Sequence, residues 1–214
     1  MTWRVGLVDS CGTREGALAA ARFVRCDGRV DRVAAGADAS GHGTRIAHVI
    51  AARADVRFAM AQVFDGSGRT AADVVAAAMD WCVEIGVDLI HLSLGLAADR
   101  ECLAEATRRA VGAGCLVVAS VPARGPVPYP AAYPGVIRAT GDARCSPSQV
   151  AMLGPETFGG CPSVAEGSGG GASIGAAHVT ARLLGATPGG ERALALARLV
   201  EIVDWHGPER RGAG

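Results

Sequence analysis

The 214-residue chain has no excess of either charge: 21 basic and 21 acidic residues cancel. A balanced chain has no global attraction to nucleic acid or to an anionic membrane, so neither is expected as a partner. Its arginines are scattered along the chain rather than gathered in a patch. No run approaches the roughly 18 apolar residues of a membrane-spanning helix. The opening MTWRVGLVD enters a strand-like run with no basic n-region, no long apolar h-region and no cleavage site; the expectation is a cytoplasmic protein. No CxxC pair occurs among the seven cysteines at positions 11, 26, 82, 102, 115, 145 and 161. Their odd number and spacing speak against a zinc site, and in a reducing compartment they are expected to be mostly small buried residues. Cys11, near an acidic strand end, is the thiol of most interest. No GKS or GKT follows the glycine-rich stretch and no GxGxxG follows the first strand, so neither nucleotide nor metal is expected as a cofactor.

Half of the residues are apolar, enough for one globular domain over residues 1–204, with 205–214 expected as a flexible tail. Strand-like and helix-like segments alternate. Strands are expected at 3–9, 28–36, 56–64, 87–95, 115–120, 135–141 and 149–154. Helices are expected at 15–24, 42–53, 70–86, 98–114, 172–186 and 189–203. Thr70 is expected as N-cap and Gly86 as the stop of the third helix. This is an α/β fold with a mostly parallel central sheet and helices on both faces. In such a sheet the working residues gather at the carboxyl ends of strands and at nearby helix starts.

Three residues meet that rule. Asp9 ends an apolar strand in VGLVDSCG; it is either a turn-former or a carboxylate held in a crevice. His42 stands between glycines in GHGTRIAHV; it is either a helix-start histidine or an unobstructed imidazole. His48, further along that helix, is expected to be packed. Ser173 in GSGGGASIGAAHVT follows a glycine-rich run at a helix start. It is an N-cap, a residue of a phosphate loop, or a nucleophile whose Oγ lies among free backbone N–H groups at the positive helix end. The three occur in the order Asp, His, Ser, one of the known orders of the serine-hydrolase triad.

The same segments resemble those of the subtilisin-like serine proteases. VGLVDSCG resembles the aspartate segment and GHGTRIAHVIA the histidine segment. GVDLIHLSLG resembles the strand whose Ser-Leu-Gly end lines the substrate groove. YPAAYPGVIRATG and GASIGAAHVTARLL resemble the Tyr-Pro and nucleophile segments. The resemblance spans about residues 4 to 186 and implies the three-layer subtilisin-like fold. It implies Ser173 as nucleophile, His42 as general base and Asp9 as orienter of the imidazole. It implies that Ser93, Leu94 and Gly95, with Ser120, Val121 and Pro122, line the groove for an extended peptide, and that the Ser173 N–H donates to the oxyanion.

Several positions depart from that family. VVASVPARG stands where the family has Ala-Gly-Asn-x-Gly, so Ala123 replaces the oxyanion asparagine and Pro122 or Arg124 flanks it. Arg124, the Ser120 hydroxyl or a backbone N–H are the substitutes to consider. In the nucleophile segment Ala172 replaces threonine and Ala177 replaces proline, and His48 replaces a glycine. The family's calcium loops are not recognisable. The profile resembles small subtilases that remove leader peptides from a dedicated precursor. One such role is trimming the leader of the small cross-linked subunit in quinohemoprotein amine dehydrogenase biogenesis. The expectation is a slow, narrow endopeptidase with a peptide or precursor protein as partner; the alternative is a weak or inactive pseudo-protease that only grips a peptide.

Overall fold

The computed structural model describes residues 2–10, 15–163, 170–187 and 192–208. In chain order the elements are β1 (Trp3–Asp9), β2 (Ala19–Cys26), β3 (Arg29–Val33), α1 (His42–Ala51), β4 (Val56–Gln62), α2 (Ala72–Ile85), β5 (Leu89–Leu92), α3 (Glu101–Gly112) and β6 (Leu116–Ser120). They continue with β7 (Val136–Gly141), β8 (Val150–Gly154), β9 (Thr157–Gly160), α4 (Ala172–Ala186), α5 (Arg192–Glu201) and β10 (Trp205–His206). All strands join one sheet in the order β10-β8-β9-β7-β6-β5-β1-β4-β2-β3. Pairing is parallel except for β2 with β3 and β8 with β9.

The central strands are apolar on both sides because helices cover both faces. On one face α1, α4 and α5 pack Ile46, Ile50, Ile174, Leu183 and Leu199 against Val5, Leu7 and Met60 of the sheet. On the other, α2 and α3 pack Val75, Met79 and Leu103 against Val8, Ile90 and Leu92. The expected three-layer α/β architecture is what the chain adopts. No helix among the described residues is long and apolar enough to cross a membrane.

The strand order changes direction at β1, which lies between β4 and β5. A parallel sheet opens a crevice at such a reversal, outside the carboxyl ends of its strands. Asp9 is the last residue of β1, and Ser93 directly follows β5.

Some local expectations fail for physical reasons. Residues 15–24, rich in alanine, are expected to be helical, yet 19–26 form β2. Their burial alternates, with Ala21 and Phe23 inward and their neighbours less buried, as in a strand with one face covered. Phe23 meets Trp81 edge-on at 5.7 Å, and pairing with β4 outweighs alanine's helical preference. Thr70 does not cap α2: Ala71 holds that position, with no side-chain cap bond, while Gly86 ends the helix in the left-handed conformation. His48 is exposed rather than packed. The expected tail begins late, since Trp205–His206 form β10 against β8 and Arg144 lies 5.6 Å over the Trp205 ring; residues 209–214 fall outside the described residues. Short β9, with two glycines, has too little apolar pattern to stand out in sequence.

Candidate active site

Asp9 is fully buried at the end of β1, and its Oδ1 accepts three hydrogen bonds. They come from the Ser10 N–H at 2.6 Å, the Ser10 hydroxyl at 3.2 Å and His42 Nδ1 at 2.7 Å. Oδ2 is buried with no hydrogen-bond partner among the described residues. The hydrogen bond to Asp9 raises the His42 pKa above the ordinary histidine value, against the opposing pull of burial. With Nδ1 donating to the carboxylate, the neutral ring presents Nε2 as its proton acceptor.

His42 is the first residue of α1, reached through Gly41, whose φ of 65° is the left-handed turn that a residue with a side chain resists. Asp38 anchors this corner. Its carboxylate accepts from the N–H groups of Gly41 and Thr44 and from the hydroxyls of Thr44, Ser10 and Ser40. Burial penalises the charge on Asp38, but those donors outweigh it and hold the carboxyl below its usual range. The Ser10 hydroxyl also accepts from the Gly43 N–H, and Ser40 Oγ accepts from the His42 N–H. Ser10, Asp38 and Ser40 therefore lock the strand end of Asp9 to the helix start of His42. The sequence signal for this anchor is an aspartate before a helix start, in DASGHGT.

Ser173 is the second residue of α4, whose N-cap is Gly171. It is not the N-cap, and as a first-turn residue its N–H has no intrahelical acceptor. Its Oγ donates to the Ser93 carbonyl at 3.4 Å, and no hydrogen bond joins it to His42 among the described residues. A cleft of about 490 Å³ is lined by Asp9, Ser10, Ser40, His42, Gln62 and Ser93 among others. The strand ends thus bring Asp9 and His42 into direct contact, and Ser173 touches the residue that lines the same cleft. Gly167, Ser168 and Gly169 before Ser173 and the thiol Cys11 lie outside the described residues.

Of the expected groove residues, Ser93 and Leu94 are buried and Gly95 is exposed. A side chain at Gly95 would meet the Pro128 ring at 2.6 Å. Leu96 and Tyr129 exchange backbone hydrogen bonds, which seats the proline-rich segment beside the groove strand. Ser120 and Val121 are buried, whereas Pro122, Ala123 and Arg124 are exposed. The Val121 N–H is occupied by the Ala139 carbonyl, and proline has no N–H. Among the described residues, the donors of this corner that make no hydrogen bond are the Ser120 hydroxyl, the backbone N–H groups of Ala123 and Arg124 and the Arg124 guanidinium. The cleft offers no free side-chain amide among the described residues. The chain contains no asparagine, and Gln62 uses its amide on Ser10, Ala37 and Gly36. No cluster of His, Cys, Asp and Glu suited to a metal occurs among the described residues.

The family model for the subtilase peptidases matches residues 16–155, well over half of the chain. The chain belongs to the subtilase family. That match includes His42 and Ser93 and stops short of Asp9 and Ser173. The subtilase is 29% identical over 113 residues to the minor extracellular protease Epr of Bacillus subtilis (strain 168), covering 47% of this chain and 18% of that protein. It is 28% identical over 116 residues to subtilisin DY of Bacillus licheniformis, covering 47% and 42%. The matched part spans less than half the length of these relatives. Two solved structures share the fold. A lanthipeptide protease superposes with TM-score 0.51 at 23% identity over 64% of this chain and 47% of its own. The prenylagaramide maturation protease PagA superposes with TM-score 0.58 at 17% identity over 85% and 73%.

Proposed function

We propose that this subtilase is a serine endopeptidase in which Asp9, His42 and Ser173 act together on a precursor peptide. The observation that carries the proposal is the 2.7 Å contact between buried Asp9 and His42 Nδ1, which leaves Nε2 as a base in the cleft that Ser93 shares. A rotation of the Ser173 side chain from the Ser93 carbonyl toward Nε2 forms the attacking pair. The Ser173 hydroxyl proton passes to Nε2 as Oγ attacks the scissile carbonyl. The same proton then passes to the leaving amine, water hydrolyses the acyl-enzyme with His42 again as base, and Asp9 stabilises the imidazolium throughout.

Substrate binding follows from the strand end at Ser93–Gly95, whose backbone accepts an extended peptide as an added strand. The oxyanion receives the Ser173 N–H and one donor from the exposed corner at Ala123 and Arg124. In subtilisin the loss of an amide donor costs about 10²–10³ in kcat, so the reading is of a slow enzyme rather than a dead one. A slow enzyme suits one cut in a dedicated partner. One structural neighbour is named a lanthipeptide protease and the other a maturation protease, which supports leader removal as the role. The precursor of the small subunit of quinohemoprotein amine dehydrogenase is one substrate of that class. The absent amide and the unformed Ser173–His42 bond favour a second reading, a peptide-gripping pseudo-protease.

Incubation with precursor peptides encoded beside the gene, read by mass spectrometry, separates the two. The enzyme reading expects one defined cut, lost in Ser173→Ala with the melting temperature retained. Binding of a precursor with no cut by either protein supports the pseudo-protease.

A further inference from the structure

His91 lies near the centre of the sheet on β5, fully buried. Both of its ring nitrogens are satisfied by hydroxyls. Nδ1 meets Thr180 Oγ1 of α4 at 2.9 Å, and Nε2 meets Ser93 Oγ at 2.8 Å. A neutral imidazole has one donor and one acceptor, and a hydroxyl can serve as either, so this chain of bonds is complete without charge.

Its position in the fold is specific. Residues 91 and 93 are two apart on an extended segment, so they share a face. Residues 173 and 180 are seven apart, close to two helical turns, so they share a face of α4 and are about 10.5 Å apart along its axis. The two pairs meet as rungs. Thr180 bonds to His91 at one level, and Ser173 bonds to the Ser93 carbonyl at the other. His91 then ties its rung to Ser93 itself.

We propose that His91 is a positioning residue for the nucleophile: through Thr180 it fixes the rotation and slide of α4 on β5, and through Ser93 it fixes the groove strand that receives the Ser173 hydroxyl. The inference rests on Ser173 being the nucleophile. Burial pushes the His91 pKa down to about 4, so the ring stays neutral beside His42 and adds no charge to oppose the imidazolium. An apolar residue at position 91 fills the same space but leaves both hydroxyls buried without a partner.

The test is the rate at which a fluorophosphonate labels Ser173, which needs no peptide substrate, measured beside the melting temperature. Thr180→Val keeps shape and removes the hydroxyl, and Thr180→Ser restores it. The expectation is a loss of roughly tenfold or more for Thr180→Val, in line with the sensitivity of catalysis to about 1 Å of misplacement. Thr180→Ser is expected to recover most of the rate. In the Thr180→Val background, His91→Phe is expected to cost less than it does alone, because only the bond to Ser93 then remains to be lost. Wild-type rates in Thr180→Val overturn the inference, as does an equal loss in Thr180→Ser, which assigns the effect to the methyl packing. If Thr180→Val does not fold, His91→Gln takes its place; its amide NH2 and oxygen supply donors and an acceptor in a different geometry from the imidazole. It is expected to label slowly at a retained melting temperature, and wild-type labelling by it overturns the inference. A wild-type chain that takes no label overturns the triad reading first, and this inference with it.

Discussion

At the residue scale the decisive group is His42. Its bond to Asp9 raises its pKa above the ordinary value of about 6.5. A general base must be neutral, so kcat/KM is expected to rise with pH through a midpoint above about 6.5. The same shift has a sign for stability. A raised folded pKa stabilises the fold fully below about 6.5, and the contribution fades as pH rises through the folded value. The pH–rate profile of the wild type checks the first point, and an acid-limb midpoint at or below 6.5 counts against the Asp9–His42 pairing. Asp9 and Ser173 each have ordinary uses, as a turn-former and an N-cap, and stand out in sequence only together with His42, through the order Asp, His, Ser. Asp38 and His91 do not stand out. Asp38 takes most of its donors from residues 40–44, but its link to Ser10, like that of His91 to Thr180, joins positions far apart in sequence, and only folding brings those together.

At the scale of elements, α1 and α4 are held by quite different means. The start of α1 depends on the five bonds to Asp38. Asp38→Ala is expected to cost about 2 kcal/mol, the upper range for a lost helix cap, and to lower kcat because Ser10 and Ser40 lose their anchor. Chemical denaturation and steady-state kinetics on the same variant check both effects. The start of α4 instead depends on close contact. A Cβ at Gly175 would lie 2.4 Å from the Thr140 carbonyl oxygen and 2.5 Å from the Gly141 Cα. Both are backbone atoms of β7 and cannot turn aside. Gly175→Ala is expected to cost about 3 kcal/mol or more, a drop of about 10 °C in melting temperature for a chain of this size. An unchanged melting temperature in a thermal scan contradicts the contact. The element pattern was readable for the central strands and for α4, whose expected bounds, 172–186, match its own. It failed at β2, where alanine favours a helix and only the neighbouring strand reveals the sheet edge.

At the scale of the whole molecule, the reversal of strand order at β1 sets the place of the site. Asp9 ends β1 and Ser93 follows the adjacent β5 there; on one face of the sheet α1 starts with His42 against Asp9, and α4 starts with Ser173 bonded to the Ser93 carbonyl. The balanced charge and the open groove strand suit a neutral, extended peptide chain better than a polyanion. The proposed function rests on Ser173 as a nucleophile activated by His42. Its most direct measurement is fluorophosphonate labelling followed by mapping of the adduct by mass spectrometry. One adduct is expected, on the peptide that contains Ser173, and it is expected to be lost in His42→Ala. No adduct on the folded wild-type protein, or one that persists unchanged in His42→Ala, would contradict it.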